Sequence, residues 1–152
     1  MALVDAVAYA THLLFAGLWS GTVLFVTVGI LPLGLRGEIR PDPFAFVVSR
    51  LSTVSRASAL LLFLSGGHMA ANAYTVESLT GTQRGYQVLA MVVLWFLLAG
   101  LVEAGSARMR DGLAEEKVRT PARDGKPFLY AGSVVALLLL LDAGLLASGV
   151  TF

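Results

Sequence analysis

Charged residues are missing from three long stretches of this chain and almost missing from a fourth. Lys, Arg, Asp and Glu are absent from residues 6–35, 57–76 and 85–102, and residues 127–152 contain only one of them, Asp142. A helix of about 18 or more apolar residues is long enough to cross the hydrocarbon core of a bilayer. The pattern therefore predicts four membrane-spanning helices, at about 5–33, 43–74, 86–109 and 128–150.

The same stretches argue against a water-soluble bundle. Each helix of such a bundle needs a polar face, and the run from Ala131 to Leu141 has almost none. Hydrophobic residues make up 57% of the chain and charged residues 14%, against about a quarter charged in an average soluble domain. We expect one all-α domain over residues 1–152, an integral membrane up-down four-helix bundle in the lipid bilayer.

The polar connections predict where the helices begin and end. Asp42 followed by Pro43 predicts the start of the second helix, since Asp is a favoured N-cap and Pro a favoured first helical residue. The charged segment 110–126 is expected to be a loop, with continuation of the third helix for a few turns as the alternative. Glu103, near the end of the third helix, is expected to form an interfacial ion pair near Arg108.

The basic residues predict the orientation. Lys and Arg collect in the loops that stay in the cytoplasm, and all but one of the 11 basic residues fall in or beside the first and third connections. The second connection contains only Arg84. We therefore expect a multi-pass protein of the cell (plasma) membrane with both termini outside. Tyr9, Tyr74 and Tyr86 fall near that outer face, as membrane-interface aromatics do.

Composition and motifs exclude several classes of function. The net charge of +1 gives no reason to expect a nucleic-acid partner, and the absence of cysteine excludes disulfides, thiolate metal sites and iron–sulfur clusters. The chain has no nucleotide-binding glycine loop and no HExxH metal motif. We expect an electron carrier, binding protein or transport protein rather than a stand-alone enzyme.

The only two histidines of the chain form the sharpest pattern. His12 lies near the outer end of the first predicted helix and His68 near the outer end of the second. Because these helices are antiparallel, the imidazoles should match in depth to about 5 Å at the helical rise of 1.5 Å per residue. Two imidazoles from facing helices are the usual axial ligands of a low-spin b-type haem. The plainer alternative is that each histidine makes an interhelical hydrogen bond.

Four further residues complete the predicted cofactor site. Gly67, with the glycine before it, leaves room for a flat macrocycle, and Trp19 shares a helix face with the first histidine. Arg84 is the outer cation available to the haem propionates. Asp142 lies near the same depth and is expected to accept a hydrogen bond from a ligand imidazole. The alternatives for Asp142 are a place in a proton path or a neutral carboxyl bonded to a neighbouring helix.

Copper is the competing metal, because imidazole and thioether ligands suit it. Met69 is adjacent to His68, but neighbouring helix positions point about 100° apart, so both cannot easily face one ion. A copper-binding or copper-transport membrane protein therefore stays open as the alternative function. A second alternative is a cofactor-free membrane subunit of a larger complex.

The first half of the chain resembles a known family. Its first helix carries His12-Leu-Leu-Phe-Ala-Gly-Leu-Trp19-Ser-Gly21, and Leu31-Pro32 follows ten residues later. Together with the second helix, from Arg50-Leu-Ser to Leu64-Ser-Gly66, this segment resembles the copper resistance D (CopD-like) membrane family over residues 6–75. The resemblance implies a four-helix architecture linked to copper uptake or to b-type haem, with roles for His12, Trp19, Gly21 and His68. The chain lacks the extra spans and the Met-rich loop of larger members, so a complete copper importer is not implied.

The leading hypothesis is a small membrane b-type cytochrome. His12 and His68 would be the axial ligands of a haem near the outer membrane face. The protein would pass single electrons to or from a redox partner on the outer side. One haem does not carry electrons across the full bilayer, so a partner or a homo-oligomer is also expected.

Overall fold

The computed structural model describes residues 3–150, and these residues form helices and short connections without a β-strand. The elements are α1 (Leu3–Phe25), a π-helical turn (Val26–Ile30), α2 (Leu31–Arg36), α3 (Pro41–Ala73), α4 (Val76–Gly81), α5 (Gln83–Ala114) and α6 (Arg119–Ser148). Residues 1–2 and 151–152 of the predicted domain lie outside the described residues.

Four helical segments are long and apolar enough to cross a membrane, which confirms the predicted number. They are Leu3–Arg36, Pro41–Ala73, Gln83–Ala114 and Arg119–Ser148. The predicted N-cap of the second helix and the predicted start of the fourth helix were wrong. The helix α3 begins at Pro41, with Arg40 as its N-cap residue, because both prolines fit the first turn, where backbone N–H groups lack helical partners. The helix α6 begins at Arg119 and continues through Pro127, so most of the expected loop is helical.

The π-helical turn lies next to a proline. The N–H of Leu31 bonds to the carbonyl of Val26, five residues back, instead of four. Pro32 follows directly, has no N–H to donate, and would crowd the carbonyl four residues before it in an α-helix. Widening the preceding turn avoids that crowding. The first membrane segment is therefore one continuous helical rod, from Leu3 to Arg36, with a bulge in its second half.

The long helices pack as a ring of neighbours. The helix α1 contacts α3 and α6, and α5 contacts the same two helices. The helices α3 and α6 therefore lie across the interior from one another. The largest fully buried side chains include Trp19, Phe44, Leu98, Met109 and Leu129. Many large apolar side chains point outward instead, among them Leu13, Leu14, Phe63, Phe96 and Leu141. Exposed apolar side chains of this number fit a bilayer rather than water.

Candidate functional site

Both histidines lie at the interface between α1 and α3. The Trp19 Nε1–H donates to Ser55 Oγ at 2.8 Å, and His12 Nδ1 lies 3.0 Å from Ser65 Oγ. Between these two contacts the residue number rises on α1, from 12 to 19, and falls on α3, from 65 to 55. The two helices therefore run in opposite directions. We call the end where α1 begins and α3 ends the histidine end, and the end where α3 begins and α5 ends the arginine end.

Hydrogen bonding favours one tautomer of His12. The Ser65 hydroxyl donates its one proton to the carbonyl of Leu61, at 2.6 Å. Its oxygen must therefore accept from His12, so Nδ1 carries the proton and Nε2 carries the lone pair. A metal-ligating histidine is ordinarily held in this way, with one ring nitrogen donating to a protein group and the other free to coordinate.

The His12 ring also rests against the backbone of α3. A β-carbon added to Gly66 would lie 2.9 Å from Cε1 of His12 and 3.3 Å from its Nδ1. The next residue differs, because a β-carbon added to Gly67 would meet nothing within 4 Å. Of the two glycines, Gly66 therefore sets how closely the ring approaches α3, while Gly67 faces open space.

His68 has a different set of partners. Its Nε2 lies 3.1 Å from Asp5 Oδ1 on α1 and 3.1 Å from the side-chain amide of Asn72, one turn further along α3. The tautomer of His68 decides which of these two bonds forms: Nε2 donates to Asp5 when it carries the proton, and accepts from the Asn72 amide when it carries the lone pair. The side chains of His68 and Asp5 are 37% and 42% exposed, so this pair lies at the rim rather than in the core.

The two imidazoles share one interface but are not at one depth. His12 contacts Ser65, three residues before His68, which is about 4.5 Å along α3. His68 contacts Asp5, seven residues before His12, which is about 10 Å along α1. The rings are therefore offset by roughly one to two helical turns, and each has its own hydrogen-bond partner on the opposite helix.

Trp19 and Arg84, also predicted for the site, lie elsewhere. Trp19 is 1% exposed and bonded to Ser55 in the core, about two turns from His12 along α1. Arg84 donates to the carbonyl of Leu146 at 3.1 Å, so it provides a hydrogen-bond donor for a carbonyl group in the last turn of α6. The structure therefore brings His12 and His68 to one interface but gives Trp19 and Arg84 structural partners.

Asp142 is buried without a partner. It is 6% exposed, and neither of its carboxyl oxygens has a hydrogen-bond partner in the described chain. A β-carbon on Gly132 would lie 3.8 Å from Val23 Cγ1. Asp142 lies ten residues after Gly132 on α6, and Leu13 lies ten residues before Val23 on α1. Because these helices run in opposite directions, Asp142 is at the level of Leu13. It therefore shares the depth of His12, although the predicted hydrogen bond to an imidazole is not formed.

A second polar cluster lies toward the arginine end. Glu103 accepts hydrogen bonds from Ser52 at 2.9 Å, from Arg110 at 2.9 Å, and from Arg56 at 2.6 and 3.1 Å. The expected partner, Arg108, instead lies over the ring of Phe128, 5.2 Å from its centroid. Arg110 is seven residues, or two helical turns, from Glu103 and so shares its face of α5, whereas Arg108, five residues on, does not.

Just beyond this cluster, Glu115 follows the last residue of α5. A hydrogen bond from Lys117 holds the pKa of the Glu115 carboxyl below its ordinary value. The Glu115 carboxyl therefore stays ionised at neutral pH.

Three side chains that complete the histidine interface were not identified as site residues from the sequence. They are Asp5, Ser65 and Ser55. A signal for the serines was present, because Ser52, Ser55, Ser58 and Ser65 recur at helical spacing along one side of α3. Asp5 had no such signal, since a lone acid near a helix start is ordinarily explained by the helix dipole.

Alanine substitutions at the two adjacent glycines should have opposite effects. Alanine at Gly67 meets open space and should raise the free energy of unfolding, because it improves helix propensity by up to about 1 kcal/mol. Alanine at Gly66 must displace the His12 ring, and such overpacking ordinarily costs about 1–3 kcal/mol. Unfolding of both variants in detergent, followed by circular dichroism, measures the difference. Equal stabilities would show that the His12 ring does not rest on Gly66.

Among residues 3–150, no three His, Cys, Asp or Glu side chains are close enough together to hold a metal ion between them. Comparison with known proteins adds no assignment: no family model, no curated protein and no solved structure matches this chain.

Proposed function

We propose that this protein is a small membrane b-type cytochrome, with a haem held by His12 and His68 where α1 and α3 meet. The chain would form an up-down bundle with both termini on the outer side of the cell membrane. The histidine end would then lie toward the outer face. Electron transfer would be its activity, with a redox protein on the outer side as partner.

The observation that carries the proposal is the state of His12. Its Nδ1–H donates to Ser65, and Ser65 is itself anchored to the carbonyl of Leu61. This chain of bonds holds the imidazole in one orientation and leaves the lone pair on Nε2, which is the arrangement in which a histidine ordinarily ligates a metal.

The number of donors at the interface favours haem over a bare copper ion. A porphyrin supplies four equatorial nitrogens to its iron, so two imidazoles complete the coordination. A copper ion would take further ligands from the protein. The histidine interface offers two imidazoles, with Asp5 and Asn72 around His68. Copper handling of the CopD-like kind is the second function that the experiment below distinguishes.

Haem binding requires His68 to change partners or ligate through its other nitrogen. Nε2 of His68 is engaged by Asp5, and the His12 ring is packed on Gly66. His12 and His68 would hold the haem, and the contact between His68 and Asp5 that would have to change is half-exposed. Asp5 would then accept a hydrogen bond from the non-ligating nitrogen of His68.

The proposed orientation can be tested with single cysteines, because the chain contains none of its own. Glu77→Cys in α4 and Ala114→Cys at the end of α5 place a thiol at exposed positions on opposite sides. In intact cells, a membrane-impermeant maleimide should label the cysteine at position 77 and spare the one at position 114. Labelling at 114 alone would reverse the proposed orientation.

The proposed function is tested by the metal content of the purified protein. We expect haem b at one per chain, or one per two chains if the site is shared in a dimer, with iron in equal amount. Stoichiometric copper without haem would support the copper-handling alternative instead. Protein that contains neither, even after expression with added haem precursor and copper, would contradict both and favour a cofactor-free subunit.

A further inference from the structure

A row of serines lines the buried side of α3. Ser52, Ser55, Ser58 and Ser65 are each at most 6% exposed, and we call them the serine column. From Ser52 to Ser65 the column covers 13 residues, about 20 Å along the helix axis. That is about two thirds of the hydrocarbon thickness of a bilayer, which is about 30 Å.

Polar partners meet the serine column at both ends. Ser52 donates to Glu103 at the arginine end, and Glu103 also binds the exposed arginines Arg56 and Arg110. Ser65 bonds to His12 at the histidine end. Between these ends, Ser55 accepts from Trp19. The column therefore joins a water-accessible carboxylate at one end to the half-exposed histidine region at the other.

The middle of the serine column has unmet hydrogen-bonding capacity. The hydroxyl of Ser58 is completely buried and lacks a hydrogen-bond partner in the described chain. A buried polar group without a partner is costly, and in a polar site a bridging water ordinarily removes that cost. The next position of the serine repeat is occupied by Leu62. The largest gap in the serine column therefore lies between Ser58 and Ser65.

Asp142 lies at about the depth of that gap. It is buried on α6, and α6 lies across the interior from α3. Its depth, at the level of Leu13, falls between Ser58 and Ser65. Both of its carboxyl oxygens are unpartnered. Ionisable groups at such positions usually mark ion or proton pathways.

We propose that the serine column and Asp142 form a proton path through the bundle. A proton enters from water at the arginine end, moves along the hydroxyls and intervening waters, and resides on the Asp142 carboxyl at the depth of the gap between Ser58 and Ser65. One proton leaves at the histidine end for each that enters, so no other reactant is consumed. The path uses neither haem nor copper. The result of its test is therefore independent of the proposed cytochrome function.

The path is tested by proton flux into vesicles. Purified protein is reconstituted with a pH-sensitive dye inside, and a potassium diffusion potential is imposed with valinomycin in sodium-free buffer. We expect flux above that of empty vesicles, and a fall of about tenfold or more in Asp142→Asn and in Ser58→Ala, as removal of a proton-relay group ordinarily causes. Asp142→Glu should retain flux.

The matched control is Thr53→Val. Thr53 is on the same helix, but it is exposed and its hydroxyl bonds only to the carbonyl of Ser49. This variant should conduct as the wild type does. Circular dichroism and size-exclusion chromatography of each variant separate lost flux from lost folding. Wild-type flux no higher than that of empty vesicles, or wild-type flux in folded Asp142→Asn and Ser58→Ala, would overturn the proposal.

Discussion

Replacing His12 with alanine is expected to leave a folded protein that lacks the low-spin spectrum of a bis-histidine haem. The ring of His12 is held by Ser65, so its removal takes away the better prepared of the two proposed ligands. The loss of one ligand from a bis-histidine haem removes the low-spin spectrum even where some haem stays bound. The measurement is the haem-to-protein ratio and visible spectrum of the purified variant.

Ser65→Ala serves as the graded control for that prediction. It removes the group that orients His12 without removing the ligand, and loss of such a supporting partner ordinarily lowers metal affinity about 10–100-fold. Haem should still bind Ser65→Ala at saturating concentration. An unchanged spectrum in folded His12→Ala would eliminate His12 as a ligand.

Replacing Trp19 with alanine is expected to have the largest effect on stability. Trp19 is 1% exposed, packs in the main apolar core, and donates its indole N–H to Ser55. Truncation of a large buried aromatic residue to alanine ordinarily costs about 3–5 kcal/mol. We expect the unfolding midpoint in detergent to fall sharply.

Two milder variants separate the contributions at Trp19. Trp19→Phe keeps most of the volume and loses one hydrogen bond, worth about 1 kcal/mol. Ser55→Ala removes the acceptor instead and leaves the indole N–H buried and unpaired, which ordinarily costs about 1–3 kcal/mol. If Trp19→Ala were as stable as the wild type but lost haem, Trp19 would belong to the cofactor site, as the sequence suggested, rather than to the core.

The apolar runs predicted the four membrane helices because hydrocarbon thickness is a strong constraint on length. The ends were harder to predict. Pro127 ordinarily indicates a helix start, yet α6 begins eight residues earlier, at Arg119. A helix interior tolerates proline where packing compensates the lost hydrogen bond, as neighbouring helices do in membranes. Packing of that kind is not visible in a local sequence pattern.

The sequence identified the histidines but not their surroundings. Composition singles out His12 and His68 as the two imidazoles of the chain, and helix direction predicts that they approach the same interface. Their hydrogen-bond partners depend on the rotation of α1 against α3, which small differences in packing decide. Trp19 faces α3, as His12 does, but it lies about two turns away and is buried in the core.

The most direct test of the central claim is the visible spectrum of the purified protein, reduced with dithionite and then exposed to carbon monoxide. Two histidine ligands on one haem predict a sharp reduced alpha band that carbon monoxide leaves unchanged, because both axial positions are filled. Protein without an alpha band after expression with added haem precursor, or a haem band that shifts with carbon monoxide, would contradict joint ligation by His12 and His68.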